Sequence, residues 1–272
     1  MEKEVLNLGE ASELLGVSSK TLLKILREED VPARKIGREW RFSKIALLNW
    51  VSAGSSLTYV SEEQRVNEYF NQLAPNYTLN RIQFYGPDFA NLIFDRLPLE
   101  KNMWAADIGC GTGYLTKSLA ERVERLTAVD ASKEMLEVAR KEINEKNLPD
   151  VEFINADAKD LPVPSNSFDI IFSCMLLHHI SDPVEVLKEF YRTLKHGGQV
   201  AIVDFEEHHH HWLKEEKSDL WLGFNRLELL EWLKEVGFTQ AMVNGLDYNC
   251  YSTGSQGKSA KIEMIIISGT KE

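Results

Sequence analysis

Cysteine and long apolar runs are both scarce in this chain of 272 residues. The three cysteines, Cys110, Cys174 and Cys250, lie far apart and form no Cys-x-x-Cys pair. Neither a disulfide framework nor a zinc ribbon is therefore expected. No apolar stretch approaches the roughly 20 residues that cross a bilayer, and the N-terminus is charged, unlike the apolar start of a signal peptide. We expect a cytoplasmic protein without a membrane-spanning segment.

Positive charge is also in short supply, and it is unevenly distributed. The chain has 31 lysines and arginines against 42 aspartates and glutamates, a net charge of −11. Residues 1–56 carry nine basic and eight acidic side chains, a net of +1, which leaves 22 basic and 34 acidic side chains in residues 57–272, a net of −12. Because an acidic surface repels phosphate backbones, any contact with nucleic acid is expected in the first 56 residues.

The N-terminal residues have the pattern of two short helices joined by a turn. Residues 8–15 have helical spacing of apolar side chains and stop at Gly16, a residue type that often ends helices. Ser18 or Ser19 can cap a second helix that runs to about Glu28. This arrangement predicts a helix-turn-helix unit.

Two short strands around Gly37 and an amphipathic helix ending at Trp50 follow this pair. With them the segment resembles the winged-helix DNA-binding domain of the excisionase/MerR-like superfamily, on the matching runs 10–18, 31–38 and 40–42. The resemblance implies that the second helix enters the major groove and that the hairpin follows the DNA backbone. The implied DNA-contacting residues are Ser19, Lys20, Thr21 and Lys24 on the helix, with Arg38 and Arg41 on the hairpin.

The small domain has an alternative use, because its acidic side chains nearly cancel its basic ones. It could pair two copies of the chain into a homodimer, or cover the larger domain. Residues 52–56 (Ser-Ala-Gly-Ser-Ser) have the composition of a short flexible linker. We predict a winged helix-turn-helix domain at 1–52, a linker at 53–60 and a larger domain at 61–272.

Short apolar runs alternate with amphipathic helical patterns from about residue 100 onward. Strands are predicted at 103–108, 126–130, 151–156, 168–174 and 199–205, with weaker ones at 238–244 and 261–268. Helices are predicted at 113–121, 133–146, 183–195 and 225–236. The alternation predicts an α/β fold with a parallel sheet and helices on both faces. Ligands of such sheets bind beyond the carboxyl ends of the strands.

A glycine-rich loop follows the first of these strands, and an acid ends or follows each of the next two. The run 107–113 (Asp-Ile-Gly-Cys-Gly-Thr-Gly) lets the chain turn sharply, although such a loop alone is also typical of nicotinamide-dependent enzymes. Asp130 can accept hydrogen bonds from two ribose hydroxyls, and Asp157 can accept one from an exocyclic amine. Together they predict a site for a nucleoside without a pyrophosphate. The alternative is that both acids merely cap the following helices.

At these residues the larger domain resembles class I S-adenosylmethionine-dependent methyltransferases of the ubiquinone-biosynthesis type. Further matches are 128–136, 161–162, 167–169, 177–179 and 194–198. The resemblance implies a Rossmann-like seven-stranded sheet with helices on both faces, S-adenosylmethionine as cofactor, and a helix at 70–77 that closes over it. The implied cofactor-binding residues are Asp107, Gly109, Cys110, Gly111, Gly113, Asp130, Ala131, Met135, Asp157, Ala158, Cys174 and Tyr77.

Two other activities agree less well with the sequence. Tyr191 and Lys195 have the spacing of a short-chain dehydrogenase pair, but they lie on an amphipathic helix where methyltransferases have a structural helix. DNA amino-methyltransferases carry an Asn/Asp-Pro-Pro-Tyr/Phe motif after the fourth strand, whereas residues 173–179 read Ser-Cys-Met-Leu-Leu-His-His. The methyl acceptor is therefore expected to be a small molecule rather than a DNA base.

Six of the seven histidines follow the fourth and fifth predicted strands, which are expected to be neighbours. Neutral imidazole can act as a general base near pH 7 or ligate a transition metal. We expect histidines at the rim to bind substrate or remove a proton, with metal or metalloid binding and no chemical role as alternatives. No resident metal is predicted. The predicted catalytic residues are His178, His179, His208 and His211.

Residues 204–224 are similar to a segment of methyltransferase domains fused to ArsR-type winged-helix regulators. The similarity implies that His208 lies near the substrate and Trp221 in the covering wall. Resemblance to arsenite methyltransferases is poor, because the three cysteines do not reproduce their thiol triad. The sequence thus predicts a small-molecule methyltransferase with a DNA-binding module. The alternative is a transcription regulator whose methyltransferase-like domain senses S-adenosylmethionine or another ligand.

Overall fold

The chain divides into two compact units in the computed structural model, Met1–Val60 and Ser61–Glu272. The described residues are 4–28, 31–37, 39–53, 61–81, 89–97, 99–146, 148–149 and 151–272. Residues 54–60 of the predicted linker lie outside them. The domain limits given above stay a prediction.

The small unit is a helix-turn-helix followed by a strand hairpin and a third helix. Its described elements are β1 (Val5–Leu6), α1 (Leu8–Leu15), α2 (Ser19–Glu28), β2 (Ala33–Ile36), β3 (Glu39–Ser43) and α3 (Lys44–Ala53). The strands form an antiparallel sheet in the order β1-β3-β2. The predicted helix pair and hairpin are confirmed, and β1 is an addition that the sequence pattern did not predict.

Local side-chain chemistry fixes the helix ends of this unit. The Asn7 side chain accepts from the Glu10 amide at 3.0 Å and the Glu10 carboxylate accepts from the Asn7 amide at 2.9 Å, a reciprocal cap for α1. Gly16 ends α1 with a φ of 68°. Of the two serines predicted to cap α2, it is Ser18 that accepts a first-turn amide, at 3.0 Å. The buried core consists of Leu6, Ala11, Leu22, Val31, Phe42 and Leu47.

The large unit alternates helices and strands. Its described elements are α4 (Glu62–Arg81), α5 (Phe89–Phe94), β4 (Trp104–Ile108), α6 (Tyr114–Ala120), β5 (Arg125–Asp130), α7 (Lys133–Glu145), β6 (Val151–Asn155), β7 (Phe168–Cys174), α8 (Pro183–Thr193), β8 (Leu194–Phe205), α9 (Trp212–Lys217), α10 (Arg226–Val236), β9 (Phe238–Thr253) and β10 (Ser259–Lys271). Short 3₁₀ turns lie at Leu177–His179 and Ser255–Gly257.

These strands form one seven-stranded sheet in the order β6-β5-β4-β7-β8-β10-β9. The predicted seven-stranded Rossmann-like sheet is confirmed, and β7 and β8 are parallel neighbours as expected. The expectation of a parallel sheet needs a correction at one edge. β10 runs antiparallel to both β8 and β9. The reason is the short connection from Thr253 to Ser259, which permits a hairpin but no crossover.

Alternate side chains of the central strands are buried on opposite faces of the sheet. On β7, Ile170 and Phe172 belong to the apolar cluster that includes α5 and α6, whereas Ile171 belongs to the cluster that includes α8 and α10. Ala201 and Ile202 on β8 divide in the same way. Because helices cover both faces, the carboxyl ends of the strands are where a ligand can approach.

Candidate active site

The glycine-rich loop connects the end of β4 to α6. Gly109, Gly111 and Gly113 have φ angles of 75°, 54° and 81°, a left-handed conformation that glycine adopts without steric cost. The Gly109 amide donates to the Val129 carbonyl at 2.8 Å, which ties the loop to β5. A Cβ on Gly109 would lie 3.0 Å from the Leu176 side chain. The loop therefore passes close to the segment that follows β7.

Two aspartates at neighbouring strand ends flank this loop. Asp130 ends β5; its Oδ2 accepts from the Gly111 amide at 2.8 Å and its Oδ1 from the Ser132 amide at 2.9 Å. Asp157 follows β6, and its Oδ1 accepts from the Lys159 amide at 2.9 Å. Each carboxylate oxygen has two lone pairs. Backbone amides thus hold both carboxylates in place at the carboxyl ends of the strands.

A cavity of about 830 Å³, counting space open to solvent, lies between the loop, these strand ends and α4. Its lining combines apolar side chains with a few carboxylates, which is typical of small-molecule and cofactor sites. The predicted cofactor residues that line it are Gly109, Gly111, Asp130, Ala131, Met135, Asp157, Ala158, Cys174 and Tyr77. The structure therefore brings both strand-end acids and the predicted lid residue to one cavity.

The other three predicted cofactor residues lie outside the cavity lining. Asp107 is 1% exposed and accepts from Thr116 Oγ1 at 2.6 Å, so it fastens the loop to α6. Cys110 is buried in a small core with Ala128. Gly113 is the residue that precedes α6. These three residues shape the loop, and their contact with the cofactor stays a prediction.

Helix α4 forms one side of the cavity. Besides the predicted Tyr77, it contributes Glu63, Val66, Asn67 and Phe70 to the lining. The sequence pattern had indicated a covering helix at 70–77, whereas α4 begins at Glu62. The cover therefore includes two more turns of helix than predicted.

Three residues form what we call the Glu63 latch: Glu63, Lys159 and Ser181. Glu63 accepts hydrogen bonds from the Ser181 hydroxyl and from Lys159 Nζ, the latter at 3.2 Å. These bonds, that of Ser181 foremost, lower the pKa of Glu63 from 4.5 to about 2. Lys159 Nζ also lies 3.9 Å from Asp157 Oδ2. The latch thus joins α4 to the loop that carries a cavity acid.

The two histidines after β7 have different surroundings. His179 lines the cavity, and its Nδ1 lies 3.1 Å from the Ser218 carbonyl. Burial, together with the neighbouring His178, holds the pKa of His179 well below its ordinary value. His178 Nδ1 lies 2.7 Å from Asp204 Oδ1. Burial alone would lower the pKa of His178, but the Asp204 carboxylate outweighs it and raises the pKa.

Asp219 completes this group, although no sequence pattern singled it out. Its Oδ1 lies 3.8 Å from His178 Nε2 and 3.9 Å from His179 Nδ1. Its Oδ2 is buried and has no hydrogen-bond partner among the described residues. Burial raises the pKa of Asp219 from 3.8 to about 6. We call His178, His179, Asp204 and Asp219 the histidine–aspartate cluster.

Like His178, the predicted catalytic residues His208 and His211 lie outside the cavity lining. His208 is partly buried, and its Nε2 has no partner within the described ranges. Burial and the neighbouring imidazoles lower the pKa of His208 to about 4. His211 is exposed just before α9, because consecutive residues of this segment cannot all face inward. Trp221, expected in the covering wall, donates its indole N–H to the carbonyl of the lining residue Ile180 at 2.8 Å.

In the small unit, the residues expected to contact DNA lie on α2 and on the hairpin. The four residues of α2 expected to contact DNA, Ser19, Lys20, Thr21 and Lys24, are all exposed. Arg41 on β3 forms an ion pair with Glu39 of the same strand. Arg38 lies outside the described residues. The described part of this surface is a polar helix face beside a hairpin.

Two domain families match the chain: residues 106–202 match a methyltransferase domain and residues 5–55 a helix-turn-helix domain. A demethylmenaquinone methyltransferase from Listeria welshimeri is 31% identical over 150 residues, which cover 53% of this chain and 64% of the relative. The chloroplastic 2-methyl-6-phytyl-1,4-hydroquinone methyltransferase 2 of Oryza sativa is 36% identical over 141 residues, which cover 51% and 39%. The chain thus spans less than two thirds of the length of either relative.

Solved structures agree on the fold. Phosphoethanolamine N-methyltransferase 2 of Haemonchus contortus, solved in complex with S-adenosyl-L-methionine, has a TM-score of 0.64 at 17% identity, covering 98% of this chain and 76% of its own. Residues 106–202 therefore belong to a methyltransferase domain, and the larger unit has the fold of solved S-adenosylmethionine-dependent methyltransferases. A helix-turn-helix domain precedes it. Within the described ranges, every helix is too short or too polar to cross a lipid bilayer.

Proposed function

We propose that the chain transfers a methyl group from S-adenosylmethionine to a small-molecule acceptor. The observation that carries this proposal is that Asp130 and Asp157, at neighbouring strand ends, line one cavity with the glycine loop. Ribose hydroxyls and an adenine amine are hydrogen-bond donors, and ionised carboxylates are acceptors. The donor set of a nucleoside thus matches the acceptors that the cavity offers.

S-adenosylmethionine supplies an electrophilic methyl group when bound. The protein then has to align the acceptor with that group and exclude water. Phe70 and Tyr77 of α4 cover the cavity. The Phe70 ring packs edge-to-face against Tyr77, with 6.0 Å between ring centroids, and against His179, at 4.8 Å. These rings offer an apolar wall beside the proposed position of the methyl group.

A hydroxylated aromatic ring is the acceptor that we propose within this class. Two relatives are named for demethylmenaquinone and for a 1,4-hydroquinone, and an aromatic wall suits a flat ring. His179 is the predicted catalytic histidine that lines the cavity. We therefore propose that His179 contacts the acceptor.

Product analysis tests this function. The full chain is incubated with S-adenosylmethionine and separate acceptors (hydroquinones, catechols, primary amines and thiols), and S-adenosylhomocysteine is measured. We expect turnover with a hydroquinone or catechol. A protein that binds S-adenosylmethionine but produces no S-adenosylhomocysteine with any acceptor would contradict methyl transfer. Turnover restricted to amines or thiols would contradict the proposed acceptor class alone.

A regulatory function is the second candidate, and the helix-turn-helix domain favours it. The family match at residues 5–55 and the exposed polar side chains of α2, Lys20 and Lys24 among them, support DNA binding by this domain. In this function the methyltransferase domain senses S-adenosylmethionine or another ligand. Binding to the DNA upstream of its own gene, measured by fluorescence anisotropy at two salt concentrations, tests it. Salt-insensitive or undetectable binding would contradict the DNA-binding proposal.

A further inference from the structure

The histidine–aspartate cluster contains the donor set of a transition-metal site. His178, His179 and Asp219 each offer one ligand atom, and the three atoms lie within 4.8 Å of one another. Two imidazoles and a carboxylate are ligands that zinc and other divalent first-row metals accept. We propose that this cluster binds a divalent transition-metal ion.

The ligand distances are close to those around a shared ion. His178 Nε2 and His179 Nδ1 lie 3.8 Å and 3.9 Å from Asp219 Oδ1. Bonds of about 2.0–2.2 Å from zinc to nitrogen and oxygen separate two ligands by about 3.4 Å at the tetrahedral angle, and by no more than ~4.3 Å. Side-chain movements of about half an ångström would shorten these two distances to the value expected between ligands of a tetrahedral ion.

Hydrogen bonds hold His178 in the tautomer that a ligand needs. Because the Asp204 carboxylate only accepts, the neutral His178 ring carries its proton on Nδ1 and keeps a lone pair on Nε2. A carboxylate bonded to the far nitrogen is the common outer partner of a metal-bound imidazole. His179 Nδ1 now donates to the Ser218 carbonyl. A neutral ring can move that proton to Nε2, which leaves Nδ1 as a ligand.

Charge balance also favours a cation in the cluster. Asp204 is 0% exposed and Asp219 is 3% exposed. Among the described residues, the cationic groups within 4 Å of these two carboxylates are histidines, with no lysine or arginine. A buried charge without full compensation is costly. A divalent cation would balance the charge of the two carboxylates. It would also give Asp219 Oδ2, which has no hydrogen-bond partner within the described residues, an ion to coordinate.

The test of this site does not depend on the proposed methyl transfer, because metal binding is measured without S-adenosylmethionine or an acceptor. His179 belongs both to the cluster and to the cavity lining. An ion bound there would therefore share one residue with the cavity wall.

The test has to separate this site from the run of histidines at 208–211, which can bind metal by itself. We would use the full chain with the exposed pair replaced, His209→Gln and His211→Gln, as the background. After removal of metal by a chelator, this protein is titrated with Zn²⁺ in a calorimeter, and the visible spectrum of its Co²⁺ form is recorded. We expect one Zn²⁺ per chain and a tetrahedral Co²⁺ spectrum.

Asp219→Asn in this background should weaken Zn²⁺ binding by about 100-fold or more, and Asp204→Asn by about 10- to 100-fold. The matched control is Glu207→Gln, which replaces an exposed acid and should leave the affinity unchanged. Circular dichroism checks that each variant is folded, and His178→Gln replaces Asp219→Asn if the latter is not. The absence of Zn²⁺ binding in the background, or equal affinity in a folded ligand variant, would overturn the proposal.

Discussion

Gly109 combines a left-handed backbone with a close contact at the cavity wall. Its φ is 75°, and an added Cβ would meet the Leu176 side chain at 3.0 Å. An L-residue in this conformation costs about 1–2 kcal/mol, and Leu176 would also have to move. We expect Gly109→Ala to lower the free energy of unfolding by about 1–3 kcal/mol and to weaken S-adenosylmethionine binding at least tenfold by calorimetry.

A second glycine offers the matched control for this substitution. Gly257 has a φ of 76°, and a Cβ there would meet nothing within 4 Å. Gly257→Ala therefore introduces the backbone strain without the contact and should leave cofactor affinity unchanged. Unaltered affinity in Gly109→Ala would contradict the placement of the loop at the cofactor.

Asp130 is the residue with the strongest expected effect on cofactor affinity. Its oxygens already accept from the Gly111 and Ser132 amides, so Asn would place an N–H₂ against a backbone donor on one side. Loss of a charged hydrogen bond costs about 1.5–3 kcal/mol, or roughly 10- to 150-fold in affinity. We expect Asp130→Asn to lose that much in a calorimetric titration. Asp160→Asn, at an exposed residue outside the lining, is the comparison that should show no loss.

Single residues differ in how far sequence could reveal them. Asp130 and Asp157 end or follow predicted parallel strands, so topology alone places them at one edge of the sheet. Asp219 lies in an irregular segment between α9 and α10 and meets His178 through tertiary packing. No periodicity or spacing marks such a residue. Glu63 stands among charged neighbours and has the pattern of an exposed helix face, which conceals its bond to Ser181.

At the scale of elements, α4 is held at the cavity by the Glu63 latch. The ion pair with Lys159 is partly exposed, with side-chain exposures of 30% and 21%, so its contribution is modest. Pairs of this kind are worth about 0.2–1 kcal/mol, which corresponds to about a 1.5- to 5-fold effect. We expect Glu63→Gln to weaken S-adenosylmethionine binding by this factor and to speed its dissociation in stopped-flow measurements. Glu62→Gln, at the exposed neighbour, should behave as the parent protein does.

The same latch predicts a direction with pH. Because the folded protein holds the pKa of Glu63 at about 2, below the ordinary 4.5, the latch contributes its stability above pH 4.5. That contribution is lost as pH falls from 4.5 toward 2. The difference in melting temperature between the parent and Glu63→Gln should therefore shrink over this window. A difference that grows on acidification would show that Glu63 stabilises the fold by another route.

Helix α2 carries the DNA-binding proposal. Lys20 and Lys24 are exposed on it, one turn apart. If both lysines contact phosphates, replacing them with Ala reduces by two the number of counterions released when DNA binds. The slope of log affinity against log salt concentration should then fall in magnitude by about 2. The control is Lys261→Ala at an exposed position on β10. An unchanged slope in the double variant would argue against phosphate contacts at these lysines.

The alternation of apolar runs predicted which segments form strands and helices, but it did not predict where some of these elements begin and end. β8 begins at Leu194, five residues before the predicted start, and Leu194 pairs with Phe168 on β7. The Gly197–Gly198 turn signal hides that pairing, since glycine pairs ordinarily mark loops. β9 extends to Thr253 because its partner β10 continues beside it, a tertiary reason that no local pattern carries.

At the scale of the whole molecule, charge is divided between the two units. Residues 1–56 are near neutral, whereas residues 57–272 have a net charge of −12. We expect a protein of residues 61–272 to bind S-adenosylmethionine as tightly as the full chain and to bind no DNA. Calorimetry and anisotropy measure the two affinities. DNA binding by the larger unit alone would contradict the assignment of that activity to the helix-turn-helix domain.

Because α4 covers the cavity, it can determine which step limits the rate of the proposed reaction. If S-adenosylhomocysteine and the methylated product leave past this helix, their release depends on how often the helix moves away from the cavity. A first turnover faster than those that follow is then the natural kinetic signature. Glu63, which ties α4 to Lys159 and Ser181, would then set the rate of the cycle through the lifetime of the closed state.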